Sequence, residues 1–201
     1  ESLESLSPLL PGSDGMNGLR KSDTILLLGT DASLTHPLLE NRIRKAYNAG
    51  NCILYANDRT TRTSHFTSHE LIFRKGNENL FLYVMTALLL KDLIPGLPAG
   101  FAEHASEAVL TRVLRSCTIS KEALEEFTAR LAASRNLSII TGGTFMETGT
   151  IRKTVKTLGN ILYLKDGRSK CNIIIPGLNL NGLYGILPGT RPKEPGRDAM
   201  L

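Results

Sequence analysis

Asp23-Thr24-Ile25-Leu26-Leu27-Leu28-Gly29-Thr30-Asp31 sets the architecture expected of this chain. The apolar run from Thr24 to Leu28 is short enough for a strand and ends on small residues. His36-Pro37 then opens a helix to about Asn48, with Leu38, Leu39, Ile43 and Ala46 on its apolar face, and Ala49-Gly50-Asn51 stops it. A second strand, Cys52 to Ala56, ends at Asn57-Asp58-Arg59. Two strands joined by one helix must run parallel, with a right-handed crossover. The stretch to Arg62 therefore reads as half of a nucleotide-binding α/β unit. A small-residue loop would let backbone amides approach a phosphate, and a carboxylate at Asp58 would stand where a ribose or base is read.

The same pattern returns downstream. A third strand is expected over Glu70 to Phe73, followed by Lys75-Gly76-Asn77 and a long helix to Leu93 packed by Leu80, Val84 and Leu88. Ile94-Pro95-Gly96-Leu97-Pro98 ends that helix. Two amphipathic helices follow, Ala102 to Arg115 and Ser120 to Ser134. Ser120 serves as the cap of the second, and the pair is expected as a helical appendage. Leu137 to Thr141 is another buried strand closed by Gly142-Gly143-Thr144, and Thr150 to Leu164 continues as helix. From Cys171 onward the chain reads as loop-rich. The fold class expected is α/β, a three-layer αβα sandwich over a mainly parallel, Rossmann-like sheet of four or five strands. With 201 residues a single domain over 1–201 is expected, with 1–21 a lead-in segment and 190–201 a mobile tail. Glu1 in place of Met suggests a piece of something larger.

Composition narrows the function classes. The net charge of +5 comes from 24 basic against 19 acidic residues, a mild excess that does not by itself indicate nucleic acid. Arg42-Arg44-Lys45, Lys153-Lys156 and Arg168-Lys170 read as solvated faces, with a phosphate-bearing cofactor or an acidic partner subunit as the alternative. The most apolar window, Leu80 to Leu90, is too short to span a bilayer. Cys52, Cys117 and Cys171 lack any Cys-x-x-Cys pairing, which favours a reducing compartment over a disulfide or cluster framework. His36, His65, His69 and His104 make no metal-ligand pattern, since His65 and His69 fall in a Ser/Thr-rich stretch that reads as loop. No nucleophile elbow or Cys/His constellation is legible.

Two local alternatives stay open. Gly29-Thr30-Asp31 is not the Gly-x-Gly-x-x-Gly fingerprint and equally suits a tight turn with Asp31 capping the helix. Asp58 equally suits an ion pair with Arg59 or Arg62.

Taken in order, these segments resemble a family. Asp23 to Asp31, then His36-Pro37-Leu38-Leu39, then Asn41-Arg42-Ile43-Arg44-Lys45-Ala46 is similar to the corresponding segment of molybdopterin oxidoreductases. The Asn-Arg-Ile-Arg-Lys string most resembles the large iron–sulfur subunit of bacterial NADH-quinone oxidoreductase (NADH dehydrogenase I). Asn57-Asp58-Arg59-Thr60, Arg74-Lys75-Gly76-Asn77-Glu78, Gly142-Gly143-Thr144 and Asn179-Leu180-Asn181-Gly182-Leu183-Tyr184 resemble later family motifs, so the likeness covers nearly the whole chain.

The resemblance implies a domain descended from one that clasps molybdopterin guanine dinucleotide. Gly29, Thr30, Asp31, Asp58, Arg59, Gly76 and Glu78 would lie at the nucleotide end, and Gly143, Asn179 and Asn181 on the pterin side; His36, at a helix start beside the Gly29 loop, reads from its position as a hydrogen-bonding or packing residue or a cofactor contact. Asp31-Ala32 in place of Asn-Pro and Glu78 in place of Asp depart from the pattern, and the cluster cysteines are absent, so no iron–sulfur cluster is expected within this segment. The implied partners are other domains of the same chain and other oxidoreductase subunits in a quinone-linked respiratory complex. The implied location is cytoplasmic, peripheral at the inner face of the cell membrane with no span of its own. As a fragment it would be catalytically incomplete and structural. A cofactor-holding domain of a formate dehydrogenase-like molybdoenzyme is the first alternative, and a free-standing NAD-binding module is the second.

Overall fold

A computed structural model describes residues 19–93, 106–146, 150–164 and 170–173. Five parallel strands form one sheet: β1 (Thr24–Leu28), β2 (Cys52–Asn57), β3 (His69–Ile72), β4 (Leu137–Thr141) and β5 (Lys170–Ile173). Their spatial order is β3-β2-β1-β4-β5, with Thr24 of β1 opposite both Cys52 and Leu137. The chain thus builds outward from the centre to β3, returns across the sheet, and builds outward again. That is the winding of a dinucleotide-type fold, and it puts a topological switch point between β1 and β4.

Alternation along each strand divides the core between the two faces. Ile25, Leu27, Ile53, Tyr55 and Ile140 pack with a short helix, α1 (Ala32–Thr35), and with α2 (Pro37–Asn48) through Leu39, Ile43 and Ala46. Leu26, Leu28, Leu54, Ala56, Leu71 and Ile139 pack on the opposite face under α3 (Glu78–Leu93), α4 (Glu107–Cys117), α5 (Lys121–Ala133) and α6 (Ile151–Leu164). The result is the expected three-layer sandwich. Burial on both faces, at every position of β1 and β4, explains why these strands show no alternation of apolar and charged residues.

Several expectations need correction. The helices expected as an appendage are part of the main core layer: Leu110, Val113, Leu114, Leu124, Phe127 and Leu131 are all buried in the cluster that covers the sheet. Apolar faces of this width cannot project into water, so they close over α3 and the strands. The Ala102 start lies outside the described residues; Ser106 occupies the N-cap position of α4, its side chain making no capping hydrogen bond. The third strand begins at His69, so His69 lies in a strand, and His65 lies in a 3-10 turn, Arg62–Phe66. Cys171, placed in a loop-rich tail by sequence, falls within β5. Leu38 and Leu80 are exposed, and Phe81, Leu82 and Met85 supply the packing of α3. The lead-in through residue 18 and the tail 190–201 lie outside the described residues. Among the described residues no helix is long and apolar enough to cross a membrane.

Candidate functional site

Every parallel strand delivers its following loop to the same edge, so the residues after β1, β2, β3 and β4 line one carboxyl edge. That edge collects Gly29, Thr30, Asp31 and His36 after β1, and Asp58 and Arg59 after β2. It also collects Gly76 and Glu78 after β3, and Gly143 after β4. Asn179 and Asn181 lie outside the described residues.

At the switch point the two glycine turns meet backbone to backbone. Gly142 N donates to Leu28 O at 3.0 Å, and Gly29 N donates to Ala56 O at 2.9 Å. Gly29 and Gly143 both take positive φ, +61° and +53°. A β-carbon on Gly143 would lie 2.2 Å from Gly29 O, and one on Gly29 would lie 2.7 Å from both Gly142 O and Phe145 Cδ2. The missing side chains are therefore needed for turn-on-turn contact. The gap they open is filled by the facing turn and by Phe145.

Below the turns sits an aromatic floor. Phe73 stacks on Phe81 at 4.9 Å between ring centroids, and Phe145 meets Phe73 edge-on at 5.5 Å. These rings join the end of β3, the first turn of α3 and the turn after β4. Sequence reading missed them. The signal was present in Phe145 two residues after Gly143 and in Phe73 at a strand end, but nothing local says that they converge.

The polar groups of the edge are largely committed inside the chain. Thr30 is buried, and its hydroxyl donates back to Leu28 O at 3.2 Å. Asp31 occupies the cap position of α1 without capping it, and its carboxylate accepts from Ser33 Oγ at 2.6 Å. The Tyr55 hydroxyl donates to Arg59 O at 3.2 Å, accepts from Asn57 Nδ2 at 2.6 Å, and shares a 2.9 Å bond with Thr61 Oγ1. Asn57 Oδ1 in turn accepts from Asp58 N at 2.8 Å, so the loop after β2 is held closed by its own residues. Burial raises the Tyr55 pKa, partly offset by its bonds to Thr61 and Asn57.

Asp58 is inside rather than on the surface, its side chain only 6% exposed, with the Arg59 guanidinium 3.8 Å away. Glu78 is 4% exposed and accepts from Gly76 N at 3.2 Å, where the start of α3 favours a carboxylate. Four side-chain atoms at this edge differ from the rest: His36 Nδ1, Asn79 Oδ1, Thr141 Oγ1 and Thr144 Oγ1 are buried with no hydrogen-bond partner. Among the described residues no group of three or more His, Cys, Asp or Glu is placed to hold a metal ion.

The fold and its switch point define a doubly wound α/β protein of the dinucleotide-fold type. No family model matches the chain, and no curated protein is detectably similar in sequence. Among solved structures it is similar to the formyltransferase/hydrolase complex from Methylorubrum extorquens in complex with methylofuran. That match has a TM-score of 0.52 and 14% identity, and covers 92% of this chain and 46% of the other. Acetylene hydratase from Pelobacter acetylenicus is matched at a TM-score of 0.48 and 13% identity, covering 73% of this chain and 23% of the other. The chain thus spans less than half the length of either relative, and at these identities the likeness is one of fold.

Proposed function

We propose that this chain is an α/β domain of an electron-transfer oxidoreductase assembly, of the molybdopterin-oxidoreductase type and nearest to the large iron–sulfur subunit of NADH-quinone oxidoreductase. In this reading its ancestral nucleotide crevice has become a structural joint. The ordered sequence resemblance from Asp23 to Tyr184 supports the family. The single observation that supports the structural role is the close contact of Gly29 with Gly143 and Phe145, which in this reading serves packing between the two turns and not approach of a diphosphate. Asp58 and Glu78, the two carboxylates positioned to read a nucleotide, are turned inward to Arg59 and to the Gly76 amide. The domain then contributes rigidity and surface to neighbouring domains and subunits of a quinone-linked complex at the inner face of the membrane. Redox chemistry belongs to those neighbours.

A second reading has a specific observation in its favour. The unpartnered His36 Nδ1 and Thr144 Oγ1 lie in the loops on either side of the switch point, where a bound molybdopterin guanine dinucleotide would satisfy them. Under that reading His36, Thr144 and Asp58 would hold the cofactor, as in a formate dehydrogenase-like enzyme.

Calorimetric titration of the 201-residue chain with GDP, a probe for the guanine nucleotide end, and with NAD separates these readings. No saturable heat with either, up to about 1 mM, is expected of a structural joint. Saturable GDP binding that weakens in both His36→Ala and Asp58→Ala would transfer the assignment to the cofactor-holding domain. Micromolar NAD binding abolished by Asp58→Ala would make the chain a free-standing nucleotide module.

A further inference from the structure

Among the described residues, exposed aliphatic side chains concentrate at one place. Leu34 and Leu38 are 78% and 73% exposed, about twice as exposed as the next large hydrophobic side chains, Tyr47 and Tyr83 at 39%. One lies on α1 and the other in the first turn of α2, and Pro37 between them is exposed as well. The packing stripe of α2 does not account for them, since Leu39, Ile43 and Ala46 carry its contact with the sheet. A single exposed leucine is ordinary. Two around an exposed proline leave apolar area in water that a covering segment would remove.

The patch has a neighbour within the chain. It follows β1 at the carboxyl edge, where Leu28 lies opposite Thr141 of β4, and Thr141 lies opposite Ile173, the last residue of β5. Two strand spacings therefore separate the end of β5 from the end of β1, about 10 Å. Residues 174–201 continue from Ile173 at that edge and lie outside the described residues. Their first part is strongly apolar: residues 174–190 hold no charged side chain, and Ile174, Ile175, Leu178, Leu180, Leu183 and Tyr184 are crowded into it. At about 3.3 Å per extended residue, the five residues to Leu178 cover about 17 Å, more than the span back to β1.

We infer that Leu34, Pro37 and Leu38 form a docking surface for this chain's own segment 178–187, which crosses the carboxyl edge from β5 to the start of α2. Tethering holds the segment near the patch at an effective concentration in the millimolar range, so a small apolar contact is enough to seat it. The covered leucines and the apolar groups of the segment leave water together, and no other molecule is needed. The docking is the same whether the glycine turns beside it are a structural joint or a cofactor site, so it stands apart from the assignment above.

The test is photo-crosslinking in the full 201-residue chain with p-benzoylphenylalanine in place of Leu38, whose exposure leaves room for the larger ring. Crosslinks to peptides from 178–187 are expected within the monomer band, and the same group in place of Leu80 on α3 should give none there. No crosslink, or crosslinks only to other segments of the chain, would overturn the proposal. A crosslinked dimer would overturn it in favour of a second copy as the occupant. Independently, Leu34→Glu/Leu38→Glu should speed chymotrypsin cleavage between Leu178 and Leu187 by about fivefold or more, because cleavage follows the population of the undocked segment. Both leucines are exposed, so this variant should melt with the wild type. Unchanged cleavage in a variant that melts normally would again overturn the docking, and if it melts early the crosslink decides alone.

Discussion

Gly143 and Gly50 have the same left-handed backbone and very different surroundings. Both sit at positive φ, +53° and +88°, but a β-carbon at Gly50 meets nothing within 4 Å, whereas at Gly143 it falls 2.2 Å from Gly29 O. Gly50→Ala is expected to cost about 1–2 kcal/mol, the penalty of the left-handed backbone alone. Gly143→Ala adds a clash between main chains that no side chain can relieve, so it should cost about 3 kcal/mol or more. Urea unfolding of the two variants checks the difference. Equal losses would mean that the glycine turns are not in contact.

Cys117 belongs to the same scale. Burial pushes its thiol pKa up to about 11, with the Glu78 charge adding to the effect. As a buried, protonated thiol it should resist alkylation in the native chain at pH 8, as mass spectrometry of iodoacetamide-treated protein would show, and react once the chain is unfolded. Gly29 and Gly143 were recognisable from sequence because strand ends followed by glycine have few explanations. Phe145 was not, because its importance lies in touching Gly29 across the sheet.

At the scale of elements, the pair α4 and α5 is where local pattern and tertiary role diverge most. The Ser120 cap was legible from sequence, and its hydroxyl accepts from Ala123 N at 3.1 Å. Ser120→Ala should therefore cost about 1 kcal/mol. Amphipathicity alone, however, does not say which surface an apolar stripe covers, and these helices close over α3 and the sheet. Phe127, 1% exposed, is the decisive position. Phe127→Ala should destabilise the whole domain by about 3–5 kcal/mol, in one cooperative transition measured by circular dichroism. An appendage would instead lose its own helices and leave the sheet unchanged. Helix α3 shows the same limit: it is apolar nearly all round, so periodicity could not separate buried Phe81 from exposed Leu80.

For the molecule as a whole, pH dependence follows from burial. The pKa values of Cys117, Cys52 and Tyr55 are all raised, in each case mainly by desolvation. Raised values in the folded state mean that the native chain holds these protons after the unfolded chain has released them. Stability is then intact below pH 9 and declines as pH rises from 9.0 toward about 11 for Cys117. Melting temperature followed across that range should fall, and the fall should be shallower in Cys117→Ala. A rise in stability with alkalinity would contradict the buried placement of these groups.

The amino-acid sequence by itself determined the strand–turn–helix order, the parallel pairing and the burial of β1 and β4, because these follow from short-range patterning and from the handedness of crossovers. Tertiary structure decided what the glycine turns do, where the acids and bases of the carboxyl edge point, and how α4 and α5 join the core. Each of those depends on which distant segments touch, as when Gly143 packs on Gly29 more than a hundred residues earlier in the chain. Such contacts are set by packing across the sheet, and no local propensity encodes them.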